Sequence, residues 1–162
     1  MATNENYISL AGKYLTFHLG KEEYGVPILK VQEIIGMMPV TSIPQTPEYV
    51  RGVINLRGKV IPVIDLRARF GMPVQEDTEK TCVIVMQILS EDGYIIMGCV
   101  VDEVHEVTDV AEKQLDDVPK VGASINISFI LAIAKISERV IMLLNMDKVL
   151  SVYETKDLIN LV

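Results

Sequence analysis

The sequence predicts an all-β protein built as two small sheets on one shared hydrophobic core, closed or nearly closed into barrels, with at most one or two short helices. Three observations carry this. Some nine or ten short runs rich in Val, Ile and Leu are separated by turn residues. Many of them are continuous apolar segments, the pattern of strands buried on both faces. The 162-residue chain is 49% hydrophobic and long enough to bury a real core. Some of that apolar excess could instead sit on exposed strand faces kept for docking, and the sequence alone does not separate the two readings.

The elements follow in order. Tyr14 to Leu19 alternates, with Leu15, Phe17 and Leu19 on one face and Tyr14, Thr16 and His18 on the other, the period of a strand. Gly20 to Glu23 is a turn, and Tyr24-Gly25-Val26 closes a hairpin that Pro27 ends. From Ile28 to Ile35 the period does not decide: apolar residues at 28, 31 and 35 fit a helical turn, whereas Val31, Glu33 and Ile35 would share a strand face. Pro39, Pro44 and Pro47 leave room only for a short edge strand at Val40 to Ile43. Gly52 to Leu56 and Lys59 to Asp65 flank Arg57-Gly58, a tight hairpin with an arginine at its tip and a glycine where positive φ is required.

Leu66 to Phe70 reads as one helical turn closed by Gly71, and 72–80 as a polar connection. Thr81 to Leu89 and Tyr94 to Val101 form a second hairpin around Ser90-Glu91-Asp92-Gly93, and Val104 to Asp109 a further strand. An acidic, turn-like stretch from Ala111 to Gly122 precedes a last pair, Ile127 to Ile136 and Val140 to Asn145, around Ser137-Glu138-Arg139. Met146 to Val152 reads as helical, and the tail from Glu154 either extends that helix or frays.

Charge and composition narrow the function. With 15 basic and 22 acidic residues the net charge is -7, which argues against nucleic acid or an anionic membrane as the main partner. Two cysteines make no disulfide framework and the first residues lack a secretory signal, so a reducing cytoplasm is expected. The longest oily stretch, Ile125 to Ile136, falls short of the ~20 residues that span a bilayer.

Few residues could carry chemistry. His18 and His105 read as surface residues with no second histidine at metal spacing. Cys82 and Cys99 lie inside apolar runs and read as packing. Glu22-Glu23, Glu91-Asp92 and Asp116-Asp117 read as solvated turn acids, and phosphate-binding loops do not occur. Met37-Met38 suits either core filling or an adaptable binding surface. Two features survive. Arg57 has no core to join at its hairpin tip, so its donors suit a partner's carboxylate or carbonyl, or simply solvent. The segment Val31 to Ile35 sets an acid among branched apolar side chains, as at an interface core with a polar rim, and equally as in a buried edge strand.

The run Gly20 to Ile34, then Thr46-Pro47, then Gly52-Val53-Ile54-Asn55-Leu56-Arg57-Gly58-Lys59-Val60-Ile61-Pro62-Val63-Ile64-Asp65-Leu66-Arg67, resembles the bacterial chemotaxis coupling family CheW. The likeness continues through Gly98 to Val104 and Arg139 to Leu150. It implies two five-stranded SH3-like β-barrels and an adaptor with no enzymatic activity; with no metal-spaced histidines or phosphate loops, no cofactor and no metal are expected. It implies as partners the regulatory domain of the histidine kinase CheA and the cytoplasmic tip of methyl-accepting chemoreceptors, at receptor arrays on the inner face of the membrane. The family's coupling positions fall on Val31, Glu33, Gly52 and Arg57. One departure is Ala132, where the family usually has a glycine before Ile133-Ala134-Lys135; alanine takes positive φ less easily, so a different local backbone is expected.

On this reading 1–13 is an N-terminal extension, 14–152 the CheW-like domain and 153–162 a tail. Since no kinase or receiver sequence accompanies them, a free-standing coupling protein is expected over a CheW-like module of CheV or CheA. A small-ligand-binding β-barrel and a hydrolase are the readings from other classes, the first needing an internal cavity and the second a polar constellation that the motifs do not offer.

Overall fold

Strand β1 (Gly12–Leu19) explains why one short chain makes two sheets. Leu15, Phe17 and Leu19 on one face join one buried cluster, and Tyr14 on the other face joins a second. A strand covered on both sides must have protein above and below it.

The computed structural model describes residues 4–90, 93–119 and 127–150. Around β1 the elements run α1 (Asn4–Leu10), β2 (Glu22–Pro27), a 3₁₀ turn at Ile28–Lys30, β3 (Val31–Gly36), β4 (Val50–Leu56), β5 (Lys59–Asp65), α2 (Leu66–Arg69), β6 (Cys82–Ser90) and β7 (Gly93–Val101). They continue with β8 (Glu103–Val110), a 3₁₀ turn at Glu112–Gln114, β9 (Leu115–Asp116), a 3₁₀ turn at Ile127–Phe129, β10 (Ile130–Ile136), β11 (Arg139–Leu144) and α3 (Met146–Val149).

The first sheet has the order β8-β1-β2-β11-β10-β9 and the second β3-β6-β7-β5-β4. Both follow one plan. A central antiparallel hairpin (β1–β2 or β6–β7) carries an antiparallel neighbour on one side, and its second strand runs parallel to the end of another hairpin (β11 or β5). Each of those hairpins leads into a four-residue helix capped by its own side chain: Asp65 Oδ1 accepts from Arg67 N at 3.0 Å, and Asn145 Oδ1 from Lys148 N at 3.3 Å.

The largest buried cluster lies between the sheets and takes side chains from both, among them Phe17, Leu19, Ile64, Ile84, Met86, Met97 and Leu144. Each sheet also encloses its own smaller core, Tyr14, Leu115, Ala134, Ile141 and Leu143 in the first and Ile54, Ile61, Val63, Val83 and Val85 in the second. The expected two barrels on one shared core are what the chain forms. Met37 and Met38 pack against the second barrel's core.

Several elements differ from expectation. The residues before Gly12, read only as an extension, contain α1, which packs Tyr7 and Leu10 on the first barrel's core and receives a 2.7 Å hydrogen bond from Tyr14 Oη at Leu10 O. Val40 to Ile43 is no strand; its prolines leave a single bridge, Thr41 to Val53. The acidic stretch after Ala111 contains β9, which adds a sixth strand to the first sheet. Ile28 to Ile35 divides into a 3₁₀ turn and a strand. Ala132 sits at a β-bulge with ordinary negative φ, so the backbone there needs no glycine. Residues 120–126 and 151–162, which take in the end of the helix read to Val152 and the tail over 153–162, lie outside the described residues, as do Glu91 and Asp92.

Polar latches join the barrels at their rim. Buried Arg67 after β5 donates to Asp102 from Nε at 2.8 Å and from Nη2 at 2.6 Å, and Asp102 also accepts from Gly20 N at 2.7 Å. The Arg69 guanidinium lies 4.8 Å from the Tyr49 ring centroid and 5.0 Å from that of Phe129, while its Nε donates to Val149 O at 2.7 Å. Lys30 pairs with Asp147 at 2.7 Å, and the other oxygen of Asp147 accepts from Leu89 N.

Candidate functional site

The four expected coupling residues all lie on or beside the second barrel, around the seam where its edge strands β3 and β4 approach each other. A β-bulge at Gln32 separates Val31, which pairs with Met86, from Glu33, which pairs with Val85. Met86 belongs to the shared core and Val85 to the barrel's own core, so the bulge sends Val31 and Glu33 to different places. Val31 packs on the shared core, half-buried, and Glu33 stands at the seam.

Arg57 completes the seam from the other edge. The β4–β5 loop is a two-residue turn with φ 53° at Arg57 and 86° at Gly58, the primed geometry whose twist matches the strands. Asn55 Oδ1 accepts from Gly58 N at 2.8 Å and steadies it. From there Arg57 Nη2 reaches Glu33 Oε1 at 2.5 Å, with Arg57 two-thirds exposed. Arg57 is therefore not free: its charge already bridges the barrel's two edges.

Gly52 is buried at a bulge in β4 with φ 140°. A Cβ there would lie 2.0 Å from Thr41 O, whose backbone crosses directly over it. Thr41 and Val53 exchange two backbone hydrogen bonds of 2.9 Å at that crossing. Gly52 thus supports the seam through its backbone and offers no side chain to a partner.

Beside the tip, Lys59, Val60, Pro62, Tyr94 and Ile96 line an open, largely apolar groove. Val60 and Tyr94 are exposed, as are Leu89, which pairs with Tyr94 across the hairpin, and Leu29. Lys30 Nζ rests 5.8 Å from the Tyr94 ring centroid. The seam thus joins a charged pair to uncovered apolar side chains.

The sequence reading missed a second polar group, on the first barrel. Glu23, read as a solvated turn acid, is buried and gripped by Arg139 at 3.1 and 2.6 Å and by His105 Nδ1 at 2.8 Å. Burial pushes its carboxyl up, but the hydrogen bonds from Arg139 and His105 outweigh that and hold it down to about 2. His18 and His105, read as separate surface residues, stand 5.2 Å apart between ring centroids. Only the pairing of β1 with β8 brings them together, and no local spacing signals it. Burial pushes the Cys99 thiol up to about 12 and raises that of Cys82, consistent with packing roles.

Comparison with known proteins decides the family. The profile described as CheW-like domain matches residues 13–154. The chain belongs to the CheW-like family. Chemotaxis protein CheW of Klebsiella aerogenes is 38% identical over 139 residues, covering 86% of this chain and 81% of that protein. CheW of Rhizobium meliloti is 35% identical over 150 residues, 92% of this chain and 94% of that one. The crystal structure of the scaffolding protein TtCheW from Thermoanaerobacter tengcongensis superimposes with a TM-score of 0.78 at 35% identity, covering 89% of this chain and 95% of that chain. Membership carries the chemotaxis adaptor role, a non-catalytic scaffold on two SH3-like barrels. No helix among the described residues is long and apolar enough to cross a membrane.

Proposed function

We propose that this adaptor couples methyl-accepting chemoreceptors to the histidine kinase CheA, at receptor arrays on the inner face of the membrane, through a CheW-like domain spanning 14–152. One surface takes the tip of a receptor's cytoplasmic helical hairpin in the groove around Val31, Glu33 and Arg57. The other pairs an apolar barrel end with the CheW-like regulatory domain of the kinase.

The observation that carries this reading is the Glu33–Arg57 pair at the barrel seam, next to exposed Val60 and Tyr94. A rim of charge around apolar side chains is the composition of a protein interface. Gly52 belongs to the site as its backbone support. A receptor or kinase that competes for either member of the pair would be felt in the seam, which gives a route from docking to the geometry of the second barrel.

Each contact is expected to be modest, near or below ~1,600 Å², with firmness supplied by many such contacts in an array. Titration calorimetry of the purified protein against the isolated CheA regulatory domain tests the kinase half. Saturable heat and co-elution on gel filtration are expected; no heat and separate elution would overturn it.

A further inference from the structure

We propose that the mouth of the first barrel is a transition-metal site, in which His18, Glu23 and His105 hold a divalent ion of the zinc type. One ligand atom from each residue lies within 4.8 Å of the others. The strands account for this convergence. His18 is opposite Glu23 in the β1–β2 pairing. On the other side of β1, Leu15 faces Val107 and Phe17 faces Val104, so Thr16 alone confronts His105 and Glu106. Thr16 Oγ1 pins this bulge by accepting from Glu106 N at 3.3 Å and donating to Glu106 O at 3.2 Å. A bulge re-aims a side chain, and this one brings His105 onto Glu23.

A second observation points to a ligand. His18 Nδ1 is buried and has no hydrogen-bond partner among the described residues. Such an orphan costs free energy unless something binds it, and no group among the described residues competes for it, so the His18 ring is free to turn a lone pair to an ion shared with His105 and Glu23. Two histidines and one glutamate are the donor set of open zinc sites, in which a fourth position is left to water. A tetrahedral shell at about 2.0–2.1 Å sets donors roughly 3.3 Å apart, so His105 Nδ1 must give up its proton to the entering ion's solvent and part slightly from Glu23 at 2.8 Å, while the wider pairs of the triad close from as much as 4.8 Å.

The competitor is Arg139, which holds both oxygens of Glu23 and also donates from Nη1 to Glu106 at 2.8 Å. Two carboxylates therefore share one guanidinium, whose Nη2 also lies 3.4 Å from His105 Nδ1 and must withdraw for an ion to enter. Glu106 can keep Arg139 when Glu23 turns to the ion. A bound ion would tie β1, β2 and β8 together at the barrel mouth.

Titration of the full chain with zinc chloride in a non-chelating buffer tests this, in a Cys82→Ser background that removes the accessible thiol. One saturable site and a raised melting temperature are expected. His18→Gln and His105→Gln should each weaken binding about tenfold or more, and Arg139→Gln should tighten it. No saturable heat, or undiminished binding in the double histidine variant, would overturn the proposal. Cobalt(II) added to the unaltered chain gives a reading that needs no substitution: the visible bands of a tetrahedral nitrogen and oxygen site support it, whereas a thiolate charge-transfer band or only the spectrum of the hydrated ion contradicts it.

Discussion

Gly52→Ala separates a backbone support from a docking residue. At φ 140° an alanine carries a conformational cost of about 1–3 kcal/mol. Its Cβ would also fall 2.0 Å from Thr41 O, so the crossing segment must lift and the two Thr41–Val53 hydrogen bonds are lost. At about 0.5–1.5 kcal/mol each, these bring the whole to roughly 4 kcal/mol at mid-range. For a chain of this size that is a melting temperature lower by about 8–16 °C. Gly58→Ala is the control, because φ there is 86° but nothing lies within 4 Å of the added Cβ, so only the conformational cost applies. Thermal unfolding by circular dichroism of both variants, with kinase binding measured well below the transition, is the assay. Gly52→Ala should melt well below Gly58→Ala. A Gly52→Ala protein that melts with its parent yet no longer binds would refute the reasoning and make Gly52 a contact residue.

Three further outcomes follow from the same geometry. Arg57→Asp should abolish receptor-dependent kinase stimulation while costing no more than about 1 kcal/mol of stability, since Arg57 is two-thirds exposed, and the swapped pair Glu33→Arg with Arg57→Glu should regain melting temperature but not stimulation. Glu23 has its carboxyl held at about 2 against an ordinary 4.5, so its contribution is present above about pH 4.5 and is lost as pH falls toward 2; Glu23→Gln should lower stability at neutral pH and flatten its decline in acid, measured as melting temperature against pH. Thiol reagents at neutral pH should leave Cys99 unmodified until the protein unfolds, which mass spectrometry of the labelled protein can read, and rapid labelling of the native chain would contradict its burial.

What was legible in the sequence was local. The Arg57-Gly58 hairpin announces itself because a two-residue turn has few chemistries, and the helical turn after Asp65 because Gly71 closes it. Runs buried on both faces revealed the shared core, and β1 shows why that inference works. Val31 to Ile35 stayed undecided because a one-residue bulge breaks the strand period that a face assignment relies on. Val40 to Ile43 has strand-forming residues, yet its flanking prolines reduce it to the bridge at Thr41. The N-terminal helix lacks a strong apolar stripe and exists through its docking on the first barrel.

The polar constellations were illegible for a different reason. Glu23 meets Arg139 across 116 residues of sequence, and the two histidines meet only once β8 has returned to pair with β1. Arg67 and Asp102, which latch the barrels, are ordinary charges until the topology sets them side by side. The pairing of Arg57 with Glu33 depends on barrel closure, although the type and place of each residue had already singled it out.

Sedimentation of receptor-bearing membranes tests the adaptor most directly. Purified CheA is mixed with the membranes, with and without this protein, and the pellet is assayed for kinase. Recovery of the kinase in the pellet is expected only when this protein is present, and its loss with Arg57→Asp. Equal recovery without the protein, or binding of kinase and receptor that is mutually exclusive, would contradict an adaptor with two surfaces.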